Sequence, residues 1–467
     1  MKDWIKRDLK YIWHPYTQMK DCRDLPPILI KRAKGLKLYG DKGRYYYDTI
    51  SSWWCNVHGH NHPKINEAIK KQLNSLEHVL FAGFTHEPAI LLAEKLISIA
   101  PGDLAKVFFS DNGSTAVETA LKMSFQYWHN TGKTKKTKFL SLDRGYHGDT
   151  VGAMSLSGVD LFNKIFSPLL FKSFKAPSPY CYRCPTGKIK DNCAIDCIKP
   201  LEKILEQNSG SIAAIILEPL VMAAAGIIIY PKEYLKKAAA LAKKYEVHLI
   251  LDEVATAFGR TGKMFACDHV DIHPDFICLS KGITSGYLPL GATLTTDKIY
   301  EAFYADHEDR KTFYHGHTYT ANPISCRAAL ASLEIFEKER PLDRLKDLAS
   351  IFHERLNDFN NLSIVGDARH MGMIGAIELV RDKASKESFG FNERIGLEIY
   401  KAGLAKNLVL RPLGNIIYLF LPLCVRRREL EYILDTTYKI VRFARGKVFS
   451  AQAEVVKDHP EKLKSDK

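Results

Sequence analysis

Two residues of this sequence stand where chemistry could be done. In VHLILDEVATAFGRTG the apolar run 249–251 would deliver Asp252 to the C-terminal end of a strand, the edge at which open α/β sheets place ligands. In FICLSKGITSG the run 276–279 would deliver Lys281 to the same edge. An acid and a lysine on neighbouring strand ends most often make only a salt bridge. A lysine in a partly desolvated site has a second use, because it can lose its proton and form a Schiff base with an aldehyde.

A third segment favours that second use. VFFSDNGSTAVETALKMS breaks a strand at Asp111-Asn112-Gly113-Ser114 and opens a helix whose free N–H groups and dipole would hold a dianion. Alone, such a junction is plain helix capping. Beside a strand-end acid and a strand-end lysine it matches the needs of pyridoxal 5'-phosphate. That cofactor needs a lysine for its aldehyde, an acid to keep its pyridine nitrogen protonated and a cup for its phosphate.

The elements that must position these residues follow from the apolar pattern. From about 63 to 336 short apolar runs alternate with amphipathic stretches, the mark of an α/β fold with a mainly parallel sheet. Strands are expected at 106–110, 138–142, 212–218, 247–253, 276–280 and 291–296, with helices such as 115–131 and 232–245 between them. Residues 1–62 are aromatic-rich, with hairpin turns expected at Gly35 and Asp41-Lys42-Gly43, and 337–450 mix helices with short strands around Ile374–Glu378 and Ile416–Phe420. Neither end is large enough for its own core, so both are expected to form one smaller α+β domain against the large cofactor-binding domain 63–336, with 451–467 as a flexible tail.

Composition agrees with a globular protein of 467 residues: 46% hydrophobic, 26% charged and 11% aromatic. Lys and Arg number 67 against 53 Asp and Glu, a formal charge of +14. That charge could serve nucleic acid or an anionic membrane, yet no basic stripe interleaved with aromatics and no DNA- or RNA-binding signature accompanies it. The longest apolar stretch, Leu220–Tyr230, is well short of the roughly 20 residues a membrane span needs. The first residues lack the apolar core of a signal peptide, and a cytoplasmic enzyme binding neither nucleic acid nor membrane is expected.

The motifs DNGSTAVETALKM, GYHGDTVGAMS, LEP at 217–219, LDEVATAFGRTG, the SKG lysine and HGHTYTANP together closely resemble the class III, ω-amino acid type, aminotransferases of fold type I. WHPYTQMKD (13–21), SSWWCNVHGHNHP (51–63), QYWHNTGK (126–133) and LRPLGNIIYLFLP (410–422) narrow the resemblance to the branch that aminates 8-amino-7-oxononanoate on the route to biotin, with S-adenosylmethionine as amino donor. The resemblance implies that Lys281 carries the cofactor as a Schiff base and then moves the substrate proton, and that Asp252 pairs with the pyridine nitrogen. It also implies that Gly113, Ser114 and, from the second subunit of a homodimer, Thr318 bind the phosphate, that Tyr146 stacks on the ring, and that Glu218 lies beside it. Tyr16, Trp53, Trp54 and Tyr418 would wall the substrate pocket, with Tyr16 also acting in catalysis and Gly316 next to the substrate. Arg411 would take a substrate carboxylate, since a planar fork suits it. Arg260 is either a second carboxylate partner or a structural loop arginine.

Departures from the family pattern concern the pocket rather than the lysine or the acid. Val221–Gly226 reads VMAAAG where VQGAGG is common, and Ala257 and Ser285 replace glycines. His317 and YLPL (287–290) resemble a branch that uses lysine as donor, whereas the two adjacent tryptophans resemble the adenosylmethionine users. Other class III ω-amino acid aminotransferases, and a non-catalytic cofactor-binding regulator, are the remaining alternatives. An insert at 178–200 carries Cys181, Cys184, Cys193 and Cys197 in a C-x2-C-x8-C-x3-C spacing compatible with structural zinc or with free thiols. The chemistry itself calls for no metal.

Overall fold

The computed structural model describes residues 3–444 apart from 42, 190 and 191. The expected tail 451–467 lies outside the described residues. Near the N-terminus β1 (Ile30–Lys34), β2 (Lys37–Gly40) and β3 (Tyr45–Tyr47) form an antiparallel sheet. The β1–β2 turn passes through Gly35 at a φ of 56°, a left-handed conformation that glycine adopts without strain.

The central sheet is built from β4 (Leu104–Ser110), β5 (Lys138–Leu142), β6 (Phe174–Ala176), β7 (Ile212–Leu217) and, after the short hairpin β8 (Val221–Met222) and β9 (Ile228–Ile229), from β10 (His248–Asp252), β11 (Phe276–Leu279) and β12 (Gly291–Thr296). Its order is β4-β12-β11-β10-β7-β5-β6. Only β12 runs against the rest, pairing antiparallel with both β11 and β4. Every residue of β7, β10 and β11 is buried, as expected of strands covered by helices on both faces. The mainly parallel α/β fold read from the sequence is therefore the observed one; the three-residue β6 is too short to stand out as an apolar run.

The covering helices show their inner faces in the sequence. Lys232–Lys244 buries Tyr234, Leu235, Ala238, Leu241 and Ala242, a stripe at helical spacing, and leaves lysines outward. The C-terminal part adds a second antiparallel sheet, β13 (Val365–Met371), β14 (Ile374–Asp382) and β15 (Glu387–Ser388), with β16 (Ile416–Phe420) on the other side of β14. The two chain ends meet here. Tyr47 bridges Leu408, and the Phe420 N–H donates to Thr49 O at 2.7 Å. Among the described residues no helix is long and apolar enough to cross a membrane.

Candidate active site

The parallel strands β4, β7, β10 and β11 all end on one edge, and Gly113, Glu218, Asp252 and Lys281 sit at or just after those ends. Asp252 is the last residue of β10 and is 5% exposed. Its Oδ1 accepts from the Val254 N–H at 3.1 Å, and its Oδ2 lies 2.8 Å from Nδ1 of His147. A proton on Nδ1 makes the imidazole a donor that fixes the carboxylate's orientation. His147 is buried and its backbone N–H donates to Ser157 Oγ at 3.0 Å, so the ring is itself held.

Lys281 opens a short turn after β11, with φ at 46°. A non-glycine residue held there costs about 1–3 kcal/mol, a strain that recurs at functional sites. Ser285, one of the departures from the family pattern, ends the turn at φ 53° and accepts the N–H groups of both Val57 and His58 at 3.0 Å. A hydroxyl there ties the lysine turn to the segment carrying the tryptophans. The Lys281 ammonium faces the Trp54 ring at 4.8 Å from its centroid. Burial pushes its pKa below the ordinary lysine value, against the opposing pull of Asp252 and Glu218. A lysine so placed gives up its proton readily.

Glu218 follows β7 and accepts the N–H groups of Tyr146 at 3.0 Å and Ala223 at 2.8 Å. The alanine-rich 221–226 segment thus keeps its amide contact with the site despite its unusual sequence. Burial, reinforced by the charge of Asp252, pushes the Glu218 carboxyl up to about 8.

The helix Gly113–Asn130 starts with a capping box, Asn112 Oδ1 accepting from Thr115 N at 3.1 Å and Thr115 Oγ1 from Asn112 N at 3.0 Å. The N–H groups of Gly113 and Ser114 have no intrahelical acceptor and stay available to an anion. A side chain at Gly113 would come within 2.6 Å of Val254 Cγ1, so only glycine lets the helix start approach the segment after Asp252.

A second cluster lies on the open side. The Tyr16 hydroxyl donates to the carboxylate of Asp149 at 2.7 and 2.8 Å and lies 3.4 Å from the Tyr146 hydroxyl. Burial pushes the Tyr16 phenol up to about 12, which keeps it a donor. Tyr16 packs edge-on against Trp53 and Phe162, and the Arg411 guanidinium lies over Trp53 at 4.7 Å. Beyond them a cleft of about 850 Å³, bordered by Tyr16, Arg411, Tyr46, Tyr400 and Phe389, leads to the surface without reaching Lys281 or Asp252.

Trp53 and Trp54 belong to a turn in which Ser51, Ser52, Trp53 and Trp54 have φ values of 51°, 44°, 70° and 74°. Left-handed backbone costs about 1–2 kcal/mol per residue, so something must hold it. Arg260 does. Its Nη1 donates to Ser51 Oγ at 3.0 Å and its Nη2 to the Trp54 and Asn56 carbonyls at 2.9 and 3.0 Å, while Asp48 accepts from the Ser52 N–H and hydroxyl. Arg260 is 1% exposed, and its fork is held by Ser51 Oγ and by the Trp54, Asn56 and Leu421 carbonyls, contacts that suit the structural role of the two expected. Trp54 and Tyr418 are buried at 4% and 0% exposure, edge-on to one another, so they back the pocket from within while Trp53 and Tyr16 face out.

Gly316 and Thr318 lie on an exposed loop whose His317 Nδ1 is 3.0 Å from Asp111 of the same chain. His147, Asp149 and Phe162 join the site without having been singled out in the sequence. The GYHGDT segment supplied the first two, but only the fold shows that His147 points to Asp252 and Asp149 to Tyr16.

This geometry fits pyridoxal phosphate: a buried strand-end carboxylate, a desolvated lysine and open amides at a helix start. An aminotransferase class-III family model matches residues 19–441. The chain belongs to that family. Its members use pyridoxal phosphate, and the donor set just described is the one that the cofactor needs. The chain is 45% identical over 447 residues to an adenosylmethionine-8-amino-7-oxononanoate aminotransferase of Geobacter sulfurreducens, covering 96% of this chain and 98% of the relative. It is 48% identical over 432 residues to the protein of that name from Aquifex aeolicus, covering 92% and 95%. The crystal structure of the Methanocaldococcus jannaschii protein of that name superposes with a TM-score of 0.90 at 43% identity, covering 94% of this chain and 98% of that one. An ω-transaminase from Pseudomonas jessenii in complex with PMP gives the same TM-score at 32% identity, over the same shares of the two chains.

Proposed function

We propose that this class-III aminotransferase transfers an amino group to the keto carbon of 8-amino-7-oxononanoate, giving 7,8-diaminononanoate in biotin formation, with S-adenosylmethionine as the donor. The observation that carries this reading is the cluster of Tyr16, Trp53, Tyr146 and Arg411 on the open side of Lys281. It combines apolar walls for a long aliphatic acceptor with a guanidinium for its carboxylate. The relatives named above carry the same activity in their names.

The bound cofactor supplies an aldehyde and an electron-withdrawing pyridinium ring. The protein supplies the rest. Asp252, oriented by His147, would hold the ring's nitrogen proton, and Gly113 and Ser114 would give their amides to the phosphate. Tyr146 and Glu218 would lie beside the ring. Lys281, uncharged after giving up its proton, takes the substrate's α-proton and returns it on the other side of the transfer. Tyr16 stays protonated and donates to Asp149, which fixes its ring against Trp53. Arg411 orients the acceptor through its carboxylate. The sulfonium of adenosylmethionine suits the aromatic faces of Tyr16 and Trp53 by cation–π attraction.

In this reading the enzyme is a cytoplasmic homodimer in which the exposed loop with Gly316 and Thr318 completes the site of the second subunit. Lysine as donor is the second reading, favoured by His317 and the YLPL segment. Comparing kcat/KM for the two donors with 8-amino-7-oxononanoate as acceptor tests the assignment. Higher efficiency with adenosylmethionine is expected; a clear preference for lysine overturns the donor, and no diamine with either donor overturns the acceptor.

A further inference from the structure

Cys181, Cys184, Cys193 and Cys197 take no part in the transamination site, yet the fold gathers them. The insert leaves the sheet after β6, turns back at Cys184-Pro185-Thr186-Gly187 and enters the helix Lys199–Asn208. All four cysteines line one small cavity of about 20 Å³, room for a single guest the size of a water molecule or an ion. None is in a disulfide.

The turn is shaped around one sulfur. Gly187, at φ 67°, donates its N–H to the Cys184 carbonyl at 3.1 Å, and the Thr186 hydroxyl is 3.2 Å from Cys184 Sγ. The other three cysteines share this cavity with Cys197, which is itself buried. Among the described residues no group of three or more His, Cys, Asp or Glu side chains stands at metal-coordinating spacing. Ligation would bring the four side chains that line this cavity onto one ion.

We propose that Cys181, Cys184, Cys193 and Cys197 bind one zinc ion as a structural tetrathiolate site, separate from the transamination site. Thiolate ligands select zinc over the oxygen-seeking magnesium and calcium. Binding releases the four thiol protons to solvent and leaves a site of net charge −2. Lys188, which lines the cavity, and Lys237, whose ammonium donates to the Ala194 carbonyl at 2.8 Å, offset that charge. The ion fastens an insert that ties the central sheet to the C-terminal one. Tyr180 and Arg183 of the insert both reach Glu378 of β14, and Lys386 donates to the Tyr182 carbonyl at 2.7 Å.

The test is elemental analysis of the full-length holoenzyme, purified from zinc-supplemented cells without chelator, together with thiol titration before and after chelation. About one zinc per chain is expected, and chelation should expose four further thiols and lower the melting temperature. Cys184→Ser should lose the metal while retaining bound pyridoxal phosphate. Should that variant fail to fold, cobalt substitution of the wild type serves instead, and the intense charge-transfer bands of tetrahedral thiolate coordination are expected. Less than about a tenth of an equivalent of zinc overturns the proposal, as do four thiols that titrate freely before chelation, disulfides among the four, or zinc that persists when all four are serine.

Discussion

Asp252 Oδ2 lies 2.8 Å from Nδ1 of His147, both side chains buried, at the end of the central strand β10. The pair makes the acid's position independent of the cofactor it is to hold. His147→Ala removes one of two donors to a buried carboxylate, a loss of about 1.5–3 kcal/mol for a bond to a charged group. Turnover should fall by about tenfold to a hundredfold, equivalent to that energy. Steady-state kinetics check it, and a shift in the pH dependence of the bound cofactor's absorbance distinguishes lost positioning from lost fold.

Arg260 secures the left-handed turn Ser51–Trp54 through Ser51 Oγ and the Trp54 and Asn56 carbonyls. A lysine keeps the charge but cannot reach three acceptors with one fork. Arg260→Lys should therefore destabilise the protein by about 3–5 kcal/mol, the usual cost of breaking a buried charged network. Chemical denaturation measures it, and a variant of wild-type stability would show that the turn holds itself.

Arg411 lies over Trp53 at the mouth of the cleft. Arg411→Lys should raise KM for the carboxylate-bearing acceptor by about tenfold, since a bidentate pair becomes a single contact worth about 1.4 kcal/mol less. KM for a donor that does not use this arginine should move little, which initial-rate measurements with each substrate varied in turn will show.

Glu218 titrates at about 8 in the folded chain, against an ordinary value of 4.5. The native state then holds a proton that the unfolded state has released between those values, so the contribution of Glu218 to stability falls as pH rises from 4.5 to about 8. In the cofactor-free protein Glu218→Gln removes this dependence. The melting temperature of the variant relative to wild type should rise across that interval, and thermal scans at several pH values test it.

Much of this site is legible in the sequence because strand ends are. The buried runs that became β7, β10 and β11 announce themselves, and Asp252 and Lys281 follow from where those runs stop. Antiparallel β12 is not legible, since its composition matches its parallel neighbours and only pairing sets its direction. Nor is the left-handed turn at 51–54, because neither serine nor tryptophan signals positive φ and the residue that stabilises it, Arg260, is more than 200 residues away. His147 and Asp149 are visible as residues and invisible as partners, their contacts at Asp252 and Tyr16 being made only in the folded chain.

In the proposed reaction Lys281 is the group that binds the cofactor and moves the proton. Borohydride reduction of the holoenzyme followed by peptide mapping tests this most directly. Cofactor fixed covalently to Lys281 in the wild type, and neither fixation nor turnover in Lys281→Ala, is the predicted result. Cofactor fixed to another lysine, or transamination retained in Lys281→Ala, would contradict it.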